Sequence, residues 1–380
     1  QMERTVLGKD QCPLPKKRSV ARAFYFTVKG SRYRDVFNSE FNLSFHKPKK
    51  DQCMVCVNYA MKQKQGLVNE KEEQEFQRHT ELKMRARAEK TQDKELAKKD
   101  PTKHVVTLDI QAVLPTPYGC FVWDETNGRR GSVEIATCLF LYLKSLPVTV
   151  KDVILYSDCC GGQNRNQYLA AAFLYALENI PNIISITHKY LETGHTQMEC
   201  DSMHSAISFA KKANPVFIPS GWDIIVRMAR RTNPYTVIPI RFTQILDFKY
   251  LASQIIRNTK VDKNNKRVSW LKMKVIHFCK GQDTMHFKYG FDDSEYHQLC
   301  LSSSSARRRQ PNLAQIIRPR YTEKLPVSEA KKRDLVSLCR SGVIPEDHHP
   351  FYENLPTASS KVDRLEEPDV EDVDSGEETD

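Results

Sequence analysis

From residue 103 onward the hydrophobic positions change period repeatedly, now in short runs, now at helical spacing. His104 to Leu114 reads as a strand with Asp109 near its middle. Beyond the turn Pro115-Thr116-Pro117, Tyr118 to Trp123 reads as a second strand. Gly128 to Gly131 punctuates the chain, and Val133 to Leu146 then carries Ile135, Leu139, Leu143 and Leu146 at helical spacing. Val153-Ile154-Leu155-Tyr156 is wholly apolar, the pattern of a strand covered on both faces. Asn164 to Ile180 predicts a helix, Asn182 to Tyr190 a strand, and Met198 to Lys212 a helix introduced by Gly194-His195-Thr196. Such alternation over 103–212 predicts an α/β core.

Other stretches pattern differently. Residues 1–66 form a basic N-terminal region that ends in Cys53-Met54-Val55-Cys56. Residues 67–102 are rich in charged helix formers; Phe76, Leu82, Met84 and Leu96 do not sustain a heptad seam, which predicts a solvated helix. Over 213–302, a helix at Trp222 to Arg231 precedes strand-like runs (Ser269 to Cys279, Met285 to Tyr289, Glu295 to Leu301), predicting a small β unit. Residues 303–355 read as a Ser-rich linker containing Arg307-Arg308-Arg309 and a C-terminal helix over Lys324 to Gly342. The remainder, 356–380, reads as a disordered acidic tail.

Charge sharpens this picture. The net charge of +11 conceals residues 363–380, which hold ten acids against Arg364 and leave +20 on residues 1–362. An excess of that size favours a polyanion through counterion release, with DNA as the expected partner. The acidic tail is placed to compete for the same basic surface. No apolar run approaches the length of a membrane span; the longest, Leu169 to Leu177, falls far short. The start, Gln1-Met2-Glu3-Arg4, has no signal-peptide pattern and reads as a fragment or processed chain. Eleven cysteines, two of them adjacent, suit reduced intracellular thiols better than a disulfide framework.

Two constellations carry candidate chemistry. The first is acidic. Asp158 follows the buried run directly, ahead of Cys159-Cys160-Gly161-Gly162-Gln163-Asn164-Arg165, and strand tips in α/β sheets are where ligands collect. Asp109 lies on the first strand and Asp201 on the last core helix, where Asp201, His204 and Ser208 share one face and Met203, Ile207 and Ala210 another. Three carboxylates so placed suit an RNase H-like site holding Mg²⁺ or Mn²⁺ for in-line phosphoryl chemistry, since these hard cations prefer oxygen ligands. Unrelated surface acids are the alternative. Glu199 competes with Asp201 as third ligand. Gln163, Asn164 and Arg165 sit where phosphates would pass, although Asn164 equally suits a helix start, and His195 suits either orienting a carboxylate or touching a phosphate, or else a helix cap. The second constellation is Cys53 and Cys56, whose spacing supplies half of a tetrahedral Zn²⁺ site or else a buried thiol pair; Cys12, His46 and His79 are candidate partners.

Several strings carry a resemblance: Leu108-Asp109-Ile110-Gln111 with Leu114-Pro115-Thr116-Pro117; Val122-Trp123-Asp124-Glu125 with Arg130-Gly131-Ser132-Val133-Glu134-Ile135; Tyr156-Ser157-Asp158 with Gly161-Gly162-Gln163-Asn164-Arg165-Asn166; and Gly194-His195-Thr196-Gln197-Met198-Glu199-Cys200-Asp201. Together they resemble a family of uncharacterised arthropod proteins, derived from transposable elements, with an RNase H-like transposase domain. The resemblance covers roughly residues 30–355. It implies an RNase H-like mixed sheet flanked by helices, between an N-terminal Cys-containing helical region and a C-terminal α+β region. It also implies an ancestral metal-dependent DNA cleavage and strand transfer, with Asp109, Asp158 and Asp201 (or Glu199) as metal ligands, in a nuclear protein open to homo-oligomer formation. Two departures stand out. The extended segment after Pro117 is shorter than in that family, and position 208 is Ser where relatives often carry Glu. Both suit a decayed or domesticated element, and leave a catalytically inactive DNA-binding or scaffold protein as the alternative.

Overall fold

The computed structural model describes residues 53–109, 114–116, 119–196, 198–302, 313 and 317–358. The chain divides into two units, 1–52 and 53–380. The first unit, with Cys12, His46 and the basic N-terminal patches, lies outside the described residues, as do Arg307 to Arg309 and the acidic tail.

The second unit is mixed α/β. Its main sheet has six strands in the spatial order β1 (Lys103–Thr107), β4 (Asp152–Ser157), β5 (Ser185–Tyr190), β7 (Val275–Cys279), β8 (Thr284–Lys288) and β9 (His297–Cys300). The pairs β1–β4 and β4–β5 are parallel; β5–β7, β7–β8 and β8–β9 are antiparallel. The strands expected to form a separate small β unit therefore extend the core sheet. Their apolar positions Ile276, Phe278, Met285, Phe287 and Leu299 are buried in the same hydrophobic cluster as Val153 and Leu155. The alternation was legible, but not which sheet its apolar face would cover.

The β4 run explains the layering. Val153 and Leu155 point into the main cluster with helices α3 (Ser132–Ser145) and α4 (Gln167–Asn179), while Ile154 and Tyr156 point to a second cluster on the opposite face. Ten residues of α4 are buried, and Asn166 caps it by accepting from the Tyr168 and Leu169 N–H groups at 3.0 and 3.1 Å. The helix thus starts later than Asn164. The segment read as one strand from His104 to Leu114 is two elements: β1 ends at Thr107, and β2 (Leu114–Thr116) pairs antiparallel with β3 (Gly119–Val122). Then β3 runs parallel to β6 (Thr236–Pro239), giving a second, three-stranded sheet. Helix α5 (Glu199–Ala213) packs Met203 and Ile207 with Ile225 and Val226 of α6 (Gly221–Met228), in one cluster with Cys120 of β3 and Val237 of β6.

Among the described residues, two helices precede the sheet. The short α1 (Met54–Lys64) has no buried residue, and the 30-residue α2 (Glu70–Lys99) opens with a capping box between Asn69 and Glu72. The second is charged, as expected, yet it is not solvated all round. It lies against the β1–β4–β5 face, where Ala86 joins Tyr156 in the second cluster and Asp93 is only 7% exposed. Asp93 accepts from the Tyr156 hydroxyl at 2.5 Å and from Lys189 Nζ at 2.6 Å, and Lys189 also reaches Glu89 at 2.6 Å. Ion pairs thus replace the apolar seam that its sequence lacks. The C-terminal segment adds α7 (Phe248–Ile255) against α4. It ends in a satellite cluster of β10 (Val327–Ser328), α8 (Glu329–Arg340), α9 (His349–Glu353) and β11 (Thr357–Ala358).

Candidate metal centre

Cys53 occupies the N-cap position of α1 and Cys56 lies in its first turn. Three residues along a helix bring two side chains to one side, so both sulfurs point the same way. The chain reverses at Gly66, where φ is +67°, and α2 returns alongside α1. Tyr59 and Phe76 stack at 3.7 Å and align the pair, and the Tyr59 hydroxyl donates to Glu73. His79 then falls opposite the two cysteines. The fourth member, His195, comes from the loop after β5.

The donor atoms converge. His79 Nε2 lies 3.3 Å from Cys53 Sγ and 3.4 Å from Cys56 Sγ, and His195 Nε2 lies 3.3 Å from Cys56 Sγ and 3.0 Å from His79 Nε2. All four lie within 4.8 Å of one another, an arrangement that can hold a metal ion. Metal–sulfur bonds of about 2.3 Å and metal–nitrogen bonds of about 2.0 Å give tetrahedron edges of roughly 3.3 to 3.8 Å. The four separations above are at the short end of that range or just below it. Burial, then Lys83, His79 and Arg87, push the His195 pKa down, which favours the neutral ring a metal requires. Burial and the neighbouring Cys53 push the Cys56 thiol up, opposed by Lys83.

One backbone feature lets the loop reach this place. Gly194 has φ of +73°, and a Cβ there would lie 2.7 Å from the Cys53 backbone. A side chain would be strained by conformation and would also collide. The glycine is what allows His195 to close the set.

The acidic constellation sits at the carboxyl end of the sheet. The β1–β4 ladder pairs Thr107 with Tyr156, and two residues further along each strand direction stand Asp109 and Asp158. Asp158 Oδ1 accepts from the Cys160 N–H at 3.2 Å and from the Asn164 side-chain amide. Asp109 Oδ2 lies 3.7 Å from His204 Nε2 on α5. Asp201 is exposed and accepts the Met198 N–H at 2.8 Å, capping the first turn of α5. Glu199 accepts from the Thr107 hydroxyl at 3.1 Å and pairs with Lys94, with Lys90 at 3.9 Å. Among the described residues, only the Cys/His set brings three or more ligand side chains together within 4.8 Å, so the carboxylates do not form such a group.

The turn after Asp158 is built inward. Asn164 and Arg165 are buried. Arg165 donates to the Met273 carbonyl at 2.8 Å and the Cys159 carbonyl at 2.9 Å, and its guanidinium lies over the Tyr190 ring. Gln163 is half-buried in the same turn. Arg165 thus ties the turn to the strand β7 edge, and its charge faces the interior. His195, read in sequence as orienting a carboxylate, touching a phosphate or capping a helix, instead has its Nε2 in the Cys/His set. Nothing local signals that role, because 116 residues separate it from His79.

Compared with protein-family models, curated proteins and solved structures, the chain has no match.

Proposed function

We propose that this protein is a transposon-derived, RNase H-like DNA-processing protein, and that Asp109 and Asp158 are its principal carboxylates. The observation that carries the reading is their placement directly beyond neighbouring parallel strands, β1 and β4, in register. Two carboxylates one strand apart at a sheet's carboxyl end suit a shared Mg²⁺ or Mn²⁺, which would offset charge at the attacking and leaving oxygens of a phosphodiester. The parallel run β1, β4, β5, with α3 before β4, α4 before β5 and α5 after it, also suits the RNase H-like arrangement, from which β2 and β3 depart by pairing in a separate sheet. Glu199 or Asp201 on α5 would supply the third carboxylate, and DNA in the nucleus would be the substrate.

Zn²⁺ is the metal that best fits the Cys53, Cys56, His79 and His195 set, because two thiolates and two imidazoles in tetrahedral array are its ordinary structural ligands. With four protein ligands, no position is left open for a reacting group. The role is a staple.

A second reading has its own support. Glu199 is held by Lys94 and Thr107, Asp201 caps a helix, and position 208 is Ser. These features favour a DNA-binding or scaffold protein that keeps the fold without cleavage. One substitution separates the two. Asp158→Asn removes a charge and keeps the shape, so folding should persist, metal-dependent cleavage should vanish, and metal-free DNA affinity should hold or rise slightly. Wild-type protein that binds DNA but never cuts it with Mg²⁺ or Mn²⁺, with an indifferent variant, hands the function to the scaffold reading. Failure of either protein to bind DNA removes the nucleic-acid reading altogether.

A further inference from the structure

Helix α2 carries a basic stripe that the metal centre and the carboxylates explain only at its two ends. His79, Lys83, Arg87, Lys90 and Lys94 recur every three or four residues and so share one flank of the helix. All five are half-buried, whereas Glu81, Met84, Arg85, Ala88, Thr91 and Gln92 are exposed. The two ends of the stripe are fixed: His79 sits in the Cys/His set, and Lys94 pairs with Glu199 at the start of α5. At 1.5 Å per residue the stripe spans roughly 22 Å, the axial length of about six base pairs.

The charges along it are not equally matched. Lys90 and Lys94 share Glu199, and the nearby Lys189 and Lys274 have Glu89, Asp93 and Glu192. Lys83 and Arg87, in the middle, have no ion pair among the described residues. Lys83 lies one helical turn beyond His79 and Arg87 one turn further, on the flank that carries the metal set. Arg87 Nε is buried and without a hydrogen-bond partner among the described residues. Two half-buried cations without counter-ions are costly unless an anion joins them. The metal centre does not ask for them, since two thiolates already balance a divalent ion.

We propose that Lys83 and Arg87 form a phosphate-binding station for a nucleic-acid backbone, on a track along α2 from the metal centre toward Glu199 and the Asp109 and Asp158 strand tips. This deepens the DNA-processing reading and rests on it. The Lys and Arg donors would take phosphate oxygens, Arg87 in a forked contact that uses its free Nε. The staple would then hold a binding surface in register with the strand tips.

The test measures binding of a labelled DNA duplex by full-length protein across a series of NaCl concentrations, for wild type, K83Q/R87Q and the charge-keeping K83R/R87K. Removing two phosphate contacts should lower the slope of log affinity against log salt by about 2 and weaken binding at 0.1 M salt by at least about tenfold. K83R/R87K should keep the wild-type slope, because both charges remain, and lose only the part of the affinity that the Arg87 fork supplies. Bound zinc, measured in each variant, reports whether the stapled structure persists. Should K83Q/R87Q lose it, acylation of Lys83 in wild type, read by mass spectrometry, takes over: DNA should protect that lysine. Wild type that binds DNA with unchanged slope in K83Q/R87Q, or with unprotected Lys83, overturns the station while leaving the DNA reading intact. Wild type that binds no DNA overturns both.

Discussion

Gly194 shows how much one residue can decide. Its positive φ costs an L-residue about 1–2 kcal/mol before any contact is counted, and an added Cβ would meet the Cys53 backbone at 2.7 Å. Backbone cannot move aside as a flexible side chain can. Gly194→Ala should therefore withdraw His195 from the other three donors. The expected outcome is weaker zinc retention against a competing chelator together with a lower melting temperature, and a variant matching wild type in both would refute this role for the loop. Cys53, Cys56 and His79 were candidates from sequence because a helical turn and a helix pair are short-range relations. His195 as a ligand was not, since its place depends on a strand and a loop more than a hundred residues away.

Among elements, α1 is the one most dependent on the proposed metal. It has 11 residues and none is buried, so neither a hydrophobic face nor length sustains it. Its attachments among the described residues are the Tyr59–Phe76 stack, the bonds to Glu72 and Glu73 of α2, and the two cysteines. The long α2 is differently placed, being held to β4 and β5 through Asp93, Tyr156 and Lys189. Removing zinc with a chelator should accordingly raise amide hydrogen exchange in residues 54–66 and 192–196. Exchange in α4 and β4 should change little. Uniform exchange before and after chelation would mean the Cys/His set is not a staple. The charged sequence of α2 predicted a helix correctly. It did not reveal the docked face, because ion pairs leave no apolar periodicity to read.

For the molecule as a whole, the buried histidines tie stability to pH. His188 on β5 is completely buried, with Nε2 2.8 Å from Ser157 Oγ and its ring edge-on to Phe173. Burial, and then the Arg165 charge, hold its pKa down to about 3. The unfolded chain, with an ordinary value near 6.5, binds a proton there that the folded protein refuses. Stability is thus fully present above about pH 6.5 and falls as the pH drops toward 3, by about 1.4 kcal/mol per unit for one such group. Burial lowers the pKa of His104, His204 and His277 as well, which acts in the same direction. The urea midpoint should decline from pH 6.5 to 5, above most carboxylate titration, and His188→Gln should flatten that decline. A midpoint constant across this window would contradict the burial of these rings.

The sequence alone determined the mixed α/β class, the apolar β4 run, the helices at α3, α4 and α5, and the apolar face of α5, though it placed the buried His204 on the opposite face. These follow from periods of two and 3.6 residues, which are local. It also marked Asp158 as a strand-tip residue and Cys53 with Cys56 as either half a metal site or a thiol pair. Tertiary structure alone decided that β7, β8 and β9 join the core sheet, that α2 docks through Asp93 and Lys189, and that Arg165 turns inward to Met273. It also decided that His195 completes the Cys/His set. Each of those outcomes joins residues far apart in the chain, and the choice among distant partners is made by packing and charge pairing in three dimensions. Periodicity says which face of an element is buried; only the assembled fold says against what.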